Sequence, residues 1–179
     1  VKYRFIKFNE KRTVRYATSL IALNKRDCDG FERMYGRKPE LIFPITSPKV
    51  DLDDVPVLTA INRPFLLFVG ADFYPNIEGI VWFIEHVSPF IQLDLRIVGA
   101  CCNNPTLRNK TLSNVKLEGY VDDLSSYYKS ALAVVAPIFK GSGMKTKVIE
   151  AMSFGKSIIG TDEAFQGIEC DYCHMGGKC

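Results

Sequence analysis

Phe65-Leu66-Leu67-Phe68-Val69-Gly70 contains no polar side chain and ends on a glycine, and no other stretch restricts the fold as much. A strand with one face in water alternates apolar and polar residues. A run that is apolar at every position belongs to a strand covered on both faces, as in a parallel sheet with helices on either side. Leu95-Arg96-Ile97-Val98-Gly99, Val115-Lys116-Leu117-Glu118-Gly119, Ala133-Val134-Val135-Ala136-Pro137 and Ser157-Ile158-Ile159-Gly160 read as further short strands. Between them, Ile80, Phe83, Ile84 and Val87 form a helical stripe, and Leu124 to Ala131 is a second helix. Val148, Ile149 and Met152 form a third stripe before Gly155, which is placed to cap it. Five β units alternating with helices predict a Rossmann-like, doubly wound α/β domain with a parallel sheet over residues 57–179. In such sheets ligands gather outside the carboxyl ends of the strands, which here are Gly70, Gly99, Gly119 and the loop at 137–143.

Residues 1–56 differ in character. Tyr16 to Leu23 and Leu41 to Phe43 read as strands around a helix at 26–36 closed by Gly36, too few elements for a core of their own. Pro44, Pro48, Asp51, Asp53, Asp54 and Pro56 then mark a polar crossover, so this front is expected to be the end of a preceding domain. It is also basic: residues 1–40 hold eleven Lys/Arg against five Asp/Glu, and the remainder twelve against fifteen. Lys7, Lys11, Arg12 and Arg15 read first as a solvated helix face, with contact to an anionic membrane surface as the alternative. For the whole chain, 179 residues that are 47% apolar suffice for one well-cored domain plus an appendage and exclude a disordered or fibrous class. With a net charge of only +3, no nucleic-acid partner is expected. No apolar run is long enough to span a bilayer, and Val1-Lys2-Tyr3-Arg4 is not followed by the apolar core and cleavage site of a signal peptide. The expected location is cytoplasmic, with peripheral contact to the inner face of the membrane left open.

The six cysteines, at 28, 101, 102, 170, 173 and 179, read as reduced thiols in a chain without a secretory signal. Cys170-Asp171-Tyr172-Cys173-His174 matches a haem-attachment pattern, but that attachment needs an export route this sequence does not show. With Cys179 it also offers four zinc donors on paper, although adjacent Cys173 and His174 are awkward donors to one tetrahedral ion. Unpaired thiols in a loop are the favoured reading, and neither a cofactor nor a metal is expected. His86, among Trp82, Phe83 and Val87, reads as a helix-surface or core histidine.

Binding chemistry concentrates in Gly141-Ser142-Gly143-Met144-Lys145-Thr146-Lys147-Val148-Ile149-Glu150-Ala151-Met152. A glycine loop between a strand and a helix lets backbone N–H groups close on an anion, and the first turn of the helix adds its positive dipole end. Lys145 and Lys147 can bring full charges to the same oxygens, and Glu150 is placed to accept both hydroxyls of a ribose. The spacing suits a nucleoside diphosphate. The plainer reading is a common Gly-x-Gly turn followed by an i,i+3 surface ion pair between Lys147 and Glu150.

Taken in order, Phe68-Val69-Gly70, Pro75-Asn76-Ile77-Glu78-Gly79, Val115 to Asp123, Pro137 with Gly141 to Met152, and Thr161 with Ala164 and Gly167 resemble the C-terminal, donor-binding domain of the GT-B glycosyltransferases. More narrowly the chain is similar to the retaining group 1 enzymes, glycosyltransferase family 4, over residues 19–169. The resemblance implies that Glu150 binds the donor ribose and that the amides of Gly141, Ser142, Gly143 and Met144 hold the diphosphate and donor sugar. It further implies that Lys145 or Lys147 neutralises the diphosphate and that the Tyr120-Val121 backbone faces the base. Gly70, Asp72, Asn76 and Gly99, at the strand ends, complete the expected donor-binding set. The implied partners are a nucleotide-diphosphate sugar and a glycan, lipid or other acceptor, with no metal required.

Two positions depart from that pattern. Ser142 stands where many members carry a glutamate against the donor sugar. The first loop offers Asp72, Tyr74, Pro75 and Asn76 where many members place an arginine and a lysine. Nearly all of an N-terminal domain, with its acceptor site, is also missing from the resemblance, so catalytic residues on that side are unknown. The expectation is a fragment of a retaining glycosyltransferase that binds donor; a non-catalytic nucleotide- or partner-binding module and a nucleotide-sugar epimerase are the alternatives.

Overall fold

The computed structural model describes residues 2–61, 63–110, 112–141 and 143–168. Its centre is a parallel sheet of β3 (Phe65–Val69), β4 (Asp94–Val98), β5 (Val115–Gly119), β6 (Ala133–Ala136) and β7 (Ser157–Gly160). The five strands lie in the order β5-β4-β3-β6-β7, with Leu66 of β3 in register with Leu95 on one side and Ala133 on the other. The chain winds outward from β3 to β5, then returns to the far side of β3 to lay down β6 and β7. The order therefore reverses between β3 and β6, and the crevice above that junction is where such sheets take ligands.

Strand periodicity divides the core into two layers. Leu66 and Phe68 of β3 face a cluster with Ile80, Phe83 and Ile84 of α3 (Tyr74–His86), Leu95, Ile97 and Leu107. Phe65 and Leu67 face the opposite side, with Tyr128 of α5 (Ser125–Ser130), Val134, and Ala151 and Phe154 at the end of α6 (Thr146–Ser153). Burial at every position of Phe65 to Phe68 is what the unbroken apolar run predicts. Each such side chain contributes about 1.5–3 kcal/mol over leaving it exposed. Pro137, which has no N–H to give the ladder, falls just past the end of β6.

One packing contact fixes the crevice. A Cβ added at Gly79 of α3 would sit 1.7 Å from the carbonyl oxygen of Pro137, so the helix lies directly on the backbone that leaves β6. Only a glycine permits that approach, and it brings the N-terminal end of α3 beside the loop at 137–143. A similar contact joins the next pair of strand ends: Gly99 has φ 115°, and a Cβ there would lie 2.3 Å from the Gly70 carbonyl oxygen.

The front of the chain forms α1 (Lys2–Tyr16), α2 (Lys25–Tyr35) and a two-stranded parallel pair, β1 (Ile21–Ala22) with β2 (Leu41–Ile42). The strand expected from Tyr16 is shorter because Tyr16 ends a helix: residues 2–16 hold neither Gly nor Pro, and the extended segment begins only at Ile21. The helix expected at 26–36 is found at 25–35, with Asn24 as N-cap and Gly36 as a left-handed C-cap at φ 70°. Among the described residues, Val14, Ala22, Cys28 and Pro39 provide the buried apolar side chains here, while Ile21, Leu41 and Ile42 are exposed. The crossover beyond residue 44 runs along α5, where Leu58 N–H donates to Ser130 Oγ at 2.8 Å and Val55, Leu58 and Ile61 join the second core layer. A short helix, α4 (Pro105–Arg108), follows β4.

Candidate functional site

Loop 137–145 leaves β6, turns at Gly141 and Gly143, both at positive φ, and enters α6. No side chain caps α6, and the amides of Thr146 and Lys147 have no hydrogen-bond acceptor among the described residues. These free N–H groups at the positive end of the helix are what an anion requires. The two loop carbonyls that could oppose an anion are already held by cations: Gly141 O accepts from Arg26 Nη2 at 3.2 Å and Gly143 O from Lys145 Nζ at 3.0 Å.

The two lysines occupy different environments. Lys145 Nζ lies 3.1 Å from Glu163 Oε1, so a carboxylate already offsets its charge. Lys147 runs inward, is 9% exposed, and places its ammonium 4.4 Å from the centre of the Phe68 ring and 2.8 Å from Asn76 Oδ1. Its polar partner is a neutral amide, and among the described residues no carboxylate pairs with it. Burial pulls the Lys147 ammonium down to about 8, with the like charge of Lys145 adding to the shift and nearby Glu150 opposing it. The Lys147–Asn76 bond joins residues 71 positions apart and spans the β3–β6 junction, so two of the expected residues meet at the point where the strand order reverses.

Glu150 lies one turn further along α6 and is half-buried. Its Oε2 accepts from the Tyr128 hydroxyl at 3.0 Å, and no ion pair joins it to Lys147. Oε1 has no hydrogen-bond partner among the described residues and is available to a ligand. Tyr128 is 1% exposed and stacks on Phe154 at 5.0 Å, so the carboxylate is anchored by a fixed ring. Burial, followed by the Glu150 charge, drives the Tyr128 phenol well above its usual range, which keeps it a hydrogen-bond donor.

The remaining expected residues line the same strand ends or brace them. Gly70 is seated between the Phe68 ring and Cys101 Sγ, its N–H bonded to Val98 O, and Gly99 lies against it. Asp72 accepts from Asn104 Nδ2 at 2.8 Å, which ties the first loop to the start of α4. Asn76 also donates to Ala71 O. Met144 is buried, and its sulfur receives the Ile45 N–H. Tyr120 is 72% exposed beyond the end of β5, and Val121 packs on the Tyr128 layer. Ser142, and the C-terminal group Cys170, Cys173, His174 and Cys179, lie outside the described residues. Among the described residues no cluster of three or more His, Cys, Asp or Glu is arranged to hold a metal ion. His86 is exposed and stacks on Trp82 at 5.3 Å.

Sequence reasoning missed Tyr128, Glu163 and Arg26. Tyr128 lies within the helix expected from Leu124 to Ala131, where nothing marks it as a site residue, while Glu163 and Arg26 reach the loop from sequence distances that carry no local signal. A cleft of about 600 Å³ between α2 and the 162–168 turn, lined by Lys25, Arg26, Asp29, Arg33, Phe165 and Gln166, was also unforeseen.

Fold and site together give a Rossmann-like α/β half with free amides and a buried lysine where its strand order reverses, and comparison with known proteins narrows this. Residues 63–171 match the family model of glycosyl transferases group 1, and the chain belongs to that family. WaaG, a glycosyltransferase involved in lipopolysaccharide biosynthesis, superposes with a TM-score of 0.66 at 18% identity, over 90% of this chain and 49% of that one. Anabaena HepE, in a complex with UDP-glucose, superposes with a TM-score of 0.64 at 16% identity, over 89% of this chain and 50% of that one. The chain thus spans about half the length of these proteins, and its sheet is the Rossmann-like C-terminal half of a GT-B fold. Comparison with curated protein sequences finds no match.

Proposed function

We propose that this chain is the donor-binding part of a retaining, family 4 glycosyltransferase, and that it takes a nucleoside-diphosphate sugar across the β3–β6 junction. The observation that carries the reading is the set of groups at the start of α6: uncapped amides at its first turn, the buried ammonium of Lys147 held by a neutral amide, and the anchored carboxylate of Glu150 one turn on. The amides and Lys147 take the diphosphate, the free Oε1 of Glu150 accepts the ribose hydroxyls, and the backbone at Tyr120-Val121 meets the base. Lys145, already paired with Glu163, adds less charge than Lys147. The bound UDP-glucose of HepE and the lipopolysaccharide role of WaaG support a nucleotide-sugar donor and a glycan or lipid acceptor.

In the intact protein the bond between the anomeric carbon and the diphosphate breaks while that carbon bonds to an acceptor hydroxyl oxygen, whose proton leaves with the diphosphate or to water. The contribution of this half is to stabilise the departing negative charge and to position the donor. Protein cations and amides supply that stabilisation in this reading, and it invokes no resident cofactor. Among the described residues no helix is long and apolar enough to cross a membrane. On α1, Phe5, Ile6 and Phe8 are exposed among Arg4, Lys7, Lys11, Arg12 and Arg15, which supports contact with an anionic membrane surface.

Calorimetric titration with UDP, GDP and ADP tests the reading. Binding of at least one of them in the micromolar-to-millimolar range is expected, and no binding at millimolar concentration by the folded chain would overturn it.

A further inference from the structure

A phosphate-binding turn works only if its N–H groups face the ligand, which requires its carbonyls to face elsewhere and to be held there. Two cations do this, and one of them comes from the front of the chain. Arg26, in the first turn of α2, reaches 115 residues along the sequence to donate to Gly141 O. The same guanidinium forks onto Glu163, with Nη1 3.0 Å from Oε2 and Nη2 3.3 Å from Oε1. Glu163 Oε1 in turn accepts from Lys145 Nζ, which holds Gly143 O. A single carboxylate therefore fixes both cations that draw the loop carbonyls aside. Glu163 is 21% exposed, and the Arg26 and Lys145 hydrogen bonds hold its carboxyl below the usual range and so ionised. The base of the tie is rigid. Asn24, the N-cap of α2, is 3% exposed and packs against Gly167, where an added Cβ would stand 2.7 Å from Asn24 Cβ.

We infer that Arg26 is a positioning residue for the phosphate loop: through Glu163 and Gly141 O it turns the loop amides toward the ligand, so that nucleotide binding and the seating of α2 are linked. The inference deepens the proposed donor site and rests on that reading for its ligand, although the tie itself exists without one. Linkage is reciprocal, so whatever loosens α2 weakens the diphosphate site, and a bound diphosphate holds α2 in place.

The test compares wild type with Arg26→Gln and Arg26→Lys. In the free chain, ¹⁵N relaxation at Gly141, Gly143 and Met144 is expected to show a more mobile loop in Arg26→Gln. Arg26→Lys, which keeps the charge but cannot fork, is expected to lie between. Calorimetry with UDP is expected to show affinity about fivefold lower for Arg26→Gln. The loss is expected to persist at high salt, where a merely long-range attraction would be screened. Loop relaxation unchanged in Arg26→Gln would overturn the inference whatever the nucleotide result, as would a UDP affinity loss that vanishes with salt. Where wild type binds GDP or ADP instead of UDP, that nucleotide is used for the comparison; absence of binding by wild type of all three would instead overturn the proposed donor site and leave the relaxation measurement to decide the tie.

Discussion

The hydroxyl of Tyr128 donates to Oε2 of Glu150 across 3.0 Å, joining a ring buried in one core layer to a carboxylate at the edge of the crevice. The stack on Phe154, tilted by only 16°, fixes the ring, and the ring fixes the carboxylate. Tyr128→Phe keeps the stack and deletes the bond. Chemical denaturation is expected to show a loss of about 1 kcal/mol, the scale of a single hydrogen bond. Nucleotide affinity is expected to fall less than in Glu150→Gln, because the variant still carries the carboxylate but no longer orients it. Unchanged denaturation and unchanged affinity together would show that the phenol positions nothing.

Lys147 gives the site a pH dependence with opposite signs for binding and stability. Its folded-state pKa, about 8, lies below the ordinary lysine value of 10.5, so between these two values the unfolded chain binds more protons than the folded chain. Lys147 therefore destabilises the free fold fully below pH 8, and this penalty fades as pH rises toward 10.5. A diphosphate requires the ammonium, so affinity is expected to decline as pH rises through about 8. In Lys147→Met that part of the decline should vanish. Calorimetry from pH 6 to 9 reads the difference, and identical profiles for the two proteins would remove Lys147 from the diphosphate site.

Two glycines in helices should respond in opposite directions to the same substitution. At Gly79 a Cβ meets the Pro137 carbonyl, so Gly79→Ala must push α3 from β6, with an expected loss of about 2 kcal/mol or more. At Gly30 the nearest atom to an added Cβ is Met34 Cε at 3.9 Å, so Gly30→Ala is expected to gain about 0.5–1 kcal/mol from helix propensity. Equal effects in urea unfolding would contradict the close approach of α3.

The exposed Phe5, Ile6 and Phe8 on α1, among five of the front's arginines and lysines, predict co-sedimentation with anionic vesicles at low salt that weakens at physiological salt. Phe5→Ser with Phe8→Ser should reduce it at both. No sedimentation at low salt leaves α1 as a solvated face.

β3 and β6 could be read from sequence because each is apolar throughout and buried at nearly every position, and β4, β5 and β7 because each is short and closes on a glycine. The front was harder to read. Its strands have only two residues each, and α1 is a basic helix with a weakly apolar face, so neither carries a clear period. At the site, Lys147 and Asn76 were identifiable individually from the loops that carry them, but not as a pair, because their meeting depends on Gly79 letting α3 lie on the Pro137 backbone. The different environments of Lys145 and Lys147 were not readable either. They depend on Glu163, a carboxylate 18 residues beyond Lys145 that no local pattern assigns to the loop.

The ribose contact of Glu150 is tested most directly by comparing UDP with its 2′,3′-dideoxyribose analogue in wild type and Glu150→Gln. If Oε1 accepts the ribose hydroxyls, Glu150→Gln weakens UDP binding by about 1.5–3 kcal/mol, on the scale of a charge-assisted hydrogen bond. The analogue is expected to bind wild type weakly and to lose little more in the variant, so the two changes are strongly non-additive. Equal binding of UDP and the analogue by wild type would contradict the assignment and leave Glu150 as a structural partner of Tyr128.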